Sequence, residues 1–135
     1  MAAGEAFSVS QKQRIERALT QAQTETGLRF TLTVGPFSSQ SGYRAEAQRL
    51  LGVLLGGDPA SAARGAVLVA VDPGNKVLEI ATSPAARERL GDHECSLVVL
   101  SMTSSVTVGD LVGGIVNGLR MLADSAGAER ASITA

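Results

Sequence analysis

Residues 66–71 read "AVLVAV", six apolar residues without a polar one between them. An unbroken run of this length suits a strand buried on both faces, so layers are required above and below it. "DPGN" (72–75) follows, a turn signature in which Pro and Gly supply the special dihedrals. "KVLEIA" (76–81) then reads as the hairpin partner. Upstream, "LRFTLTV" (28–34) alternates strictly, with Leu28, Phe30, Leu32 and Val34 on one side. Tyr43, Ala47, Leu50, Leu51 and Leu54 recur at helical spacing between the two strands, and Gly56 and Gly57 stop that helix. Residues 28–71 therefore form one βαβ unit with a right-handed crossover, and 66–71 is its central strand.

Helices flank this unit. Ser8 or Ser10, each with a Gln three residues on, opens a helix carrying Ile15, Ala18, Leu19 and Ala22, which Gly27 closes. Lys12, Arg14, Glu16 and Arg17 form its other, solvated side, a small basic face. Ser83 before Pro84 caps a short helix over 84–90. The chain restarts at Gly91, with Asp92 suited to the N-cap, as a helix with Cys95, Val98, Val99 and Met102 on one face. "TSSVT" (103–107) reads as a break, and a glycine-bearing helix runs on to about Ala123. The expected fold is a single α/β domain over 7–124: a small three-layer sandwich, a short mixed sheet with helices on both faces. Residues 1–6 and 125–135 read as tails.

Composition narrows the function. Aromatic residues are only 3 %, so the core is aliphatic, and Phe7, Phe30, Phe37 and Tyr43 offer little to stack on bases. With a net charge of −1, the chain lacks the basic surplus of a nucleic-acid binder. One cysteine, Cys95, excludes an internal disulfide. The opening "MAAGEAFSVS" does not read as a signal peptide, and no run approaches the ~20 apolar residues of a membrane span. The expectation is a cytoplasmic protein.

The stretch "VGDLVGGIVNGLRML" raises the sharpest question. Each interior glycine costs a helix up to ~1 kcal/mol against alanine. On a helical wheel Leu111, Val112, Ile115, Leu119 and Leu122 form a stripe with Gly114 and Gly118 at its edge, where close packing explains them. Gly113 falls on the polar side with Asn117, Arg120 and Asp124, and reads as a point of close approach for a ligand or partner. The spacing matches neither dinucleotide-binding nor P-loop patterns, and Asp110 would repel an anion at the helix start.

This stretch resembles the closing signature of the TPM domain, in which a Gly-Asp pair precedes a glycine-spaced helix. "TETGLRFTLTV" is similar to the TPM helix–strand junction, and "GAVLVAVDPGNKVLEIATS" to its hairpin. The resemblance covers residues 7–123 and is that of an uncharacterised actinobacterial family of this type. It implies a Rossmann-like α/β sandwich. Among TPM relatives some are acid phosphatases, some bind divalent metal, and others serve in membrane-complex assembly or repair.

Three functions fit these residues. In the first, the chain is a non-catalytic module that binds a protein partner through an exposed helix face or a glycine-lined surface of Gly109, Gly113, Asn117, Ser104 and Ser105. In the second, it is a metal-assisted phosphatase. Asp72, at the end of the central strand, and Asp110 would then hold Mg²⁺ or Ca²⁺ beyond the carboxyl ends of the strands. Asp72 equally suits the opening of the turn; Ser104, Ser105 and Thr107 would help bind a phosphate and equally suit helix caps. The third is a small-molecule binder at the same sheet edge. "DHEC" (92–95) gathers Asp, His, Glu and Cys, but helical spacing turns His93 about 200° from the apolar face that holds Cys95.

Overall fold

A computed structural model describes residues 7–36 and 42–127. The expected tails at 1–6 and from 128 onward, with Phe37 and its loop neighbours to 41, lie outside the described residues. Strand β2 (Ala66–Asp72) is buried along its whole length. It lies between β1 (Arg29–Val34), parallel to it, and β3 (Val77–Thr82), antiparallel to it. Val69 stands opposite Leu32 on one side and Ile80 on the other.

The two faces of β2 differ in bulk, and the layers differ accordingly. Val67, Val69 and Val71 enter the larger core, beneath helices α1 (Val9–Thr26), α5 (Asp92–Thr107) and α6 (Leu111–Ala126). Ala66, Leu68 and Ala70 face α2 (Tyr43–Leu55), whose Ala47 and Leu51 seal the thinner side. The chain is thus a small mixed α/β domain with helices on both faces of a three-stranded sheet.

Local chemistry sets the joints. Ser8 and Gln11 complete a capping box: the Gln11 N–H donates to Ser8 Oγ at 3.2 Å and the Ser8 N–H to Gln11 Oε1 at 2.8 Å. Gly27 ends α1 in the left-handed conformation, φ +78°. The buried Thr26 hydroxyl donates to the Ala22 carbonyl at 2.7 Å and accepts the Leu28 N–H at 3.1 Å, fixing the entry into β1. Gly65, with φ +108°, has to be glycine for a second reason. A Cβ there would sit 2.7 Å from Leu28 Cδ2 and 3.0 Å from the Ala86 nitrogen.

Several boundaries depart from the sequence reading. Residues 59–64 form a helix, α3 (Pro59–Arg64), because Asp58 caps it and Pro59 suits its first turn. The Asp58 carboxyl lies below the usual range because the Ser61 hydroxyl and N–H both donate to it. Helix α4 (Pro84–Arg87) stops three residues short of the expected end. Gly91, in extended conformation, is the N-cap of α5, so Asp92 is its first helical residue. "TSSVT" is no break. Ser104 and Thr107 hydroxyls return to the carbonyls of Leu100 and Thr103, at 3.1 and 2.9 Å, and Val106 is buried in the core. Helix α6 continues past Ala123 to Ala126, so Ser125 and Ala126 belong to the helix rather than to a tail. On α2, Leu54 is 47 % exposed.

Candidate functional site

The glycine segment lies at the corner between α5 and α6. Gly109 turns the chain with φ +90°, and its N–H donates to the Val106 carbonyl at 3.0 Å. Asp110 is the N-cap of α6, accepting the Gly113 N–H at Oδ1, 3.0 Å away. That carboxylate folds over the first turn, and a Cβ on Gly113 would strike Asp110 Oδ2 and lie 2.6 Å from its Cγ. Gly113 is buried, so the polar side assigned to it on the wheel is occupied by the cap. Gly114 lies against α5, where a Cβ would sit 2.8 Å from Ser105 Cβ and 3.3 Å from the Met102 carbonyl oxygen. Gly118 faces the Met102 side chain, with Sδ the first atom an added Cβ would meet. Ser104 bonds within its own helix, and Ser105 fills the Gly114 contact; neither caps a helix. Asn117 is exposed. Of the proposed glycine-lined surface, Gly113 is buried and Ser105 lines the seam between α5 and α6, whereas Gly109, Ser104 and Asn117 are exposed.

Asp72 is 2 % exposed at the end of β2. Its carboxylate accepts the Asn75 N–H at 3.3 Å and the Asn75 side-chain amide at 2.9 Å, which holds the "DPGN" turn. Asp110 lies toward the same end of the domain. Arg89 joins the carboxyl ends of α1 and α6, so these helices run parallel, and α1 leads directly into β1. The start of α6 consequently lies where the parallel strands end. Among the described residues no group of three or more His, Cys, Asp or Glu side chains is placed to hold a metal.

The "DHEC" residues diverge. His93 is exposed, while Cys95 is buried and its thiol is pushed above the usual range, first by burial and then by the Asp92 and Glu94 charges. That is the opposite of an activated nucleophile. Asp92 pairs with Arg44 at 3.0 Å, both well exposed, bridging the starts of α5 and α2.

Three features escape a reading of the sequence. Arg89 donates to the carbonyls of Thr26 and Gly127, each at 2.6 Å, and to that of Ala126 at 3.3 Å, closing two helix ends with one guanidinium. Leu97, Leu100 and Val108 are 49, 65 and 81 % exposed. At 100° per residue Leu97 and Leu100 fall on the side of α5 opposite Cys95, Val98 and Met102, and Val108, the C-cap just past the end of the helix, continues that side. The 3.6 period found the buried stripe, and the same period finds this second one once the helix is known to continue through 103–107. Finally, α1 and α6 enclose a groove of about 410 Å³. Ala18, Ala22 and Ala123 are in its floor, and Arg14, Arg17 and Arg120 on its rim.

Fold and surface together define a small three-stranded α/β domain in which Ser8, Thr26, Asp58, Asp72, Arg89 and Asp110 serve its own turns and helix ends. The chain belongs to the family described as "Domain of unknown function (DUF5130)", whose model matches residues 2–123. No curated protein matches the sequence. Among solved structures it is similar to the BA42 protein of the psychrophilic bacterium Bizionia argentinensis. The TM-score is 0.76 at 14 % identity, over 89 % of this chain and 81 % of that one. It is also similar to the N-terminal domain of a P. gingivalis protein, with TM-score 0.71, 12 % identity and coverage of 88 and 75 %. A third similar structure is the N-terminal domain of the cg2496 protein of Corynebacterium glutamicum, with TM-score 0.64, 14 % identity and coverage of 91 and 76 %. At these identities the likeness concerns the fold alone. Among the described residues no helix is long and apolar enough to cross a membrane.

Proposed function

We propose that the chain is a non-catalytic interaction module of TPM type, with the Rossmann-like topology of that group, and that it binds a protein partner. The outward face of α5 carries this reading. Leu97 and Leu100 lie about one turn apart on α5 and Val108 at its C-cap, all three exposed with no core to bury them. Single exposed apolar residues are ordinary, whereas an aligned set on a helix whose other face is already buried marks a binding surface. The engagement of Asp110, Gly113 and Gly114 in the α5–α6 corner gives these residues an architectural role and so supports the same reading.

A photo-crosslinking residue at Ser104, within this face, tests it in native cells. The expected result is a discrete adduct that the Leu97→Ser/Leu100→Ser variant loses while its melting temperature holds. Absence of any adduct, or an adduct indifferent to both substitutions, overturns it.

A second reading has one observation in its favour: Asp72 and Asp110 stand toward the same, carboxyl end of the sheet. In a metal-assisted phosphatase these carboxylates would hold Mg²⁺ or Ca²⁺, which would polarise a phosphoryl oxygen. Metal-stimulated hydrolysis of a chromogenic phosphate ester, lost in Asp110→Ala, would establish that reading in place of the first.

A further inference from the structure

We infer that the groove between α1 and α6 is a docking site for an acidic amphipathic helix of a protein partner. This surface is separate from the outward face of α5, and the inference does not rest on that face being used.

The charge layout comes first. Arg14 and Arg17 project from α1, and Arg120 reaches the same groove from α6, a hundred residues later in the chain. The ion pairs among the described residues are Arg44–Asp92 and Arg49–Glu46, so none of these three guanidinium groups has a carboxylate partner. The whole chain has a net charge of −1, which makes a local cluster of three unpaired arginines a departure from its average. Arg14 and Arg17 lie toward the amino end of the groove and Glu25 and Asp124 toward its carboxyl end, with Arg120 one turn before Asp124; Glu25 accepts a hydrogen bond from the Gln21 amide at 3.1 Å. The groove is therefore an oriented dipole. Arginine forks favour carboxylates, so the occupant presents acidic groups at the end marked by Arg14 and Arg17.

Shape selects a helix over a small molecule. Arg14, Arg17, Arg120, Glu25 and Asp124 are all exposed, and the groove stays open along its length. A small-molecule site buries most of its ligand's surface. From Arg14 to Glu25 the groove follows twelve residues of helix, about 16 Å or three turns. Alanines at 18, 22 and 123 in its floor let a third backbone approach closely, the arrangement of a helix laid in a groove.

The test is selection from a displayed library of randomised 16-residue helical peptides on the intact protein. Expected are peptides with an apolar stripe and acidic residues grouped toward one end. Their affinity falls at least tenfold for Arg14→Gln/Arg17→Gln/Arg120→Gln, falls with added salt, and is unchanged in Leu97→Ser/Leu100→Ser. All of these positions are exposed, and equal melting temperatures certify that the variants fold. Three results overturn the inference: a selection without binders, binders lacking acidic bias, or binders that the glutamine variant retains. Displacement of the peptides by millimolar inorganic phosphate at constant ionic strength also overturns it, reducing the groove to a simple anion site.

Discussion

Gly114 and Gly118 are neighbours on one helix, yet an added methyl group meets different obstacles at each. At Gly114 it meets Ser105 Cβ and the backbone carbonyl of Met102, neither of which yields without shifting α5. At Gly118 it meets the Met102 side chain from Cγ to Cε, an unbranched chain that adjusts by rotation rather than by a shift of α5. Gly114→Ala is expected to destabilise the domain by about 1–3 kcal/mol. For Gly118→Ala the helix-propensity gain of up to ~1 kcal/mol offsets the adjustment of Met102, leaving stability within about 1 kcal/mol of wild type. Urea unfolding of the two variants checks the contrast, and equal losses would refute it. The packing of Gly114 and Gly118 was legible in the sequence because a helical wheel places both beside the apolar stripe. Gly113 was not, because its neighbour is the carboxylate of its own N-cap. The wheel knows angle around the axis but not the backbone turn at Asp110, φ −108° and ψ 67°, that lays the side chain over the first turn.

Among the elements, the central hairpin and the first helix were the most readable. "AVLVAV" has one burial solution, and Ser8, Gln11 and Gly27 each carry a local signal with a local cause. Helix α5 was harder, since Thr and Ser at 103–105 prefer caps and turns in isolation, and only burial of Met102 and Val106 sustains the helix through them. Nothing in the sequence announces that α1 and α6 end side by side, because that contact joins residues about a hundred positions apart. Arg89 makes it, and its charge also suits two negative helix ends. Arg89→Ala is expected to cost about 2 kcal/mol by removing charged hydrogen bonds from partly buried carbonyls. Lys recovers only part, since one ammonium cannot reproduce the planar fork. Amide exchange should rise first at the carboxyl ends of α1 and α6; a uniform rise would contradict the assignment.

At the scale of the whole molecule, one pH-dependent contribution to stability comes from Glu79 on the edge strand. Burial raises its carboxyl above the usual range, and the Arg44 charge offsets this only in part. The folded state thus holds this proton more tightly than the unfolded chain. Its contribution is greatest in acid and is lost as pH rises through the ordinary carboxylate range to the raised value. Glu79→Gln, which carries no charge to desolvate, is expected to melt higher than wild type at pH 7 and to converge with it below about pH 4. Equal melting at neutral pH would show that Glu79 carries no such cost.

We propose that Asp110 and the glycines of the α5–α6 corner serve the architecture and that binding falls to the exposed helix surfaces. The melting temperature of wild type and Asp110→Ala across a titration of Mg²⁺ and Ca²⁺ tests that division most directly, because any ligand of the folded state raises it. The expected result is a lower melting temperature for Asp110→Ala, the loss of an N-cap worth about 1 kcal/mol, with neither protein responding to metal. A rise with metal in the wild type that Asp110→Ala abolishes would contradict the account.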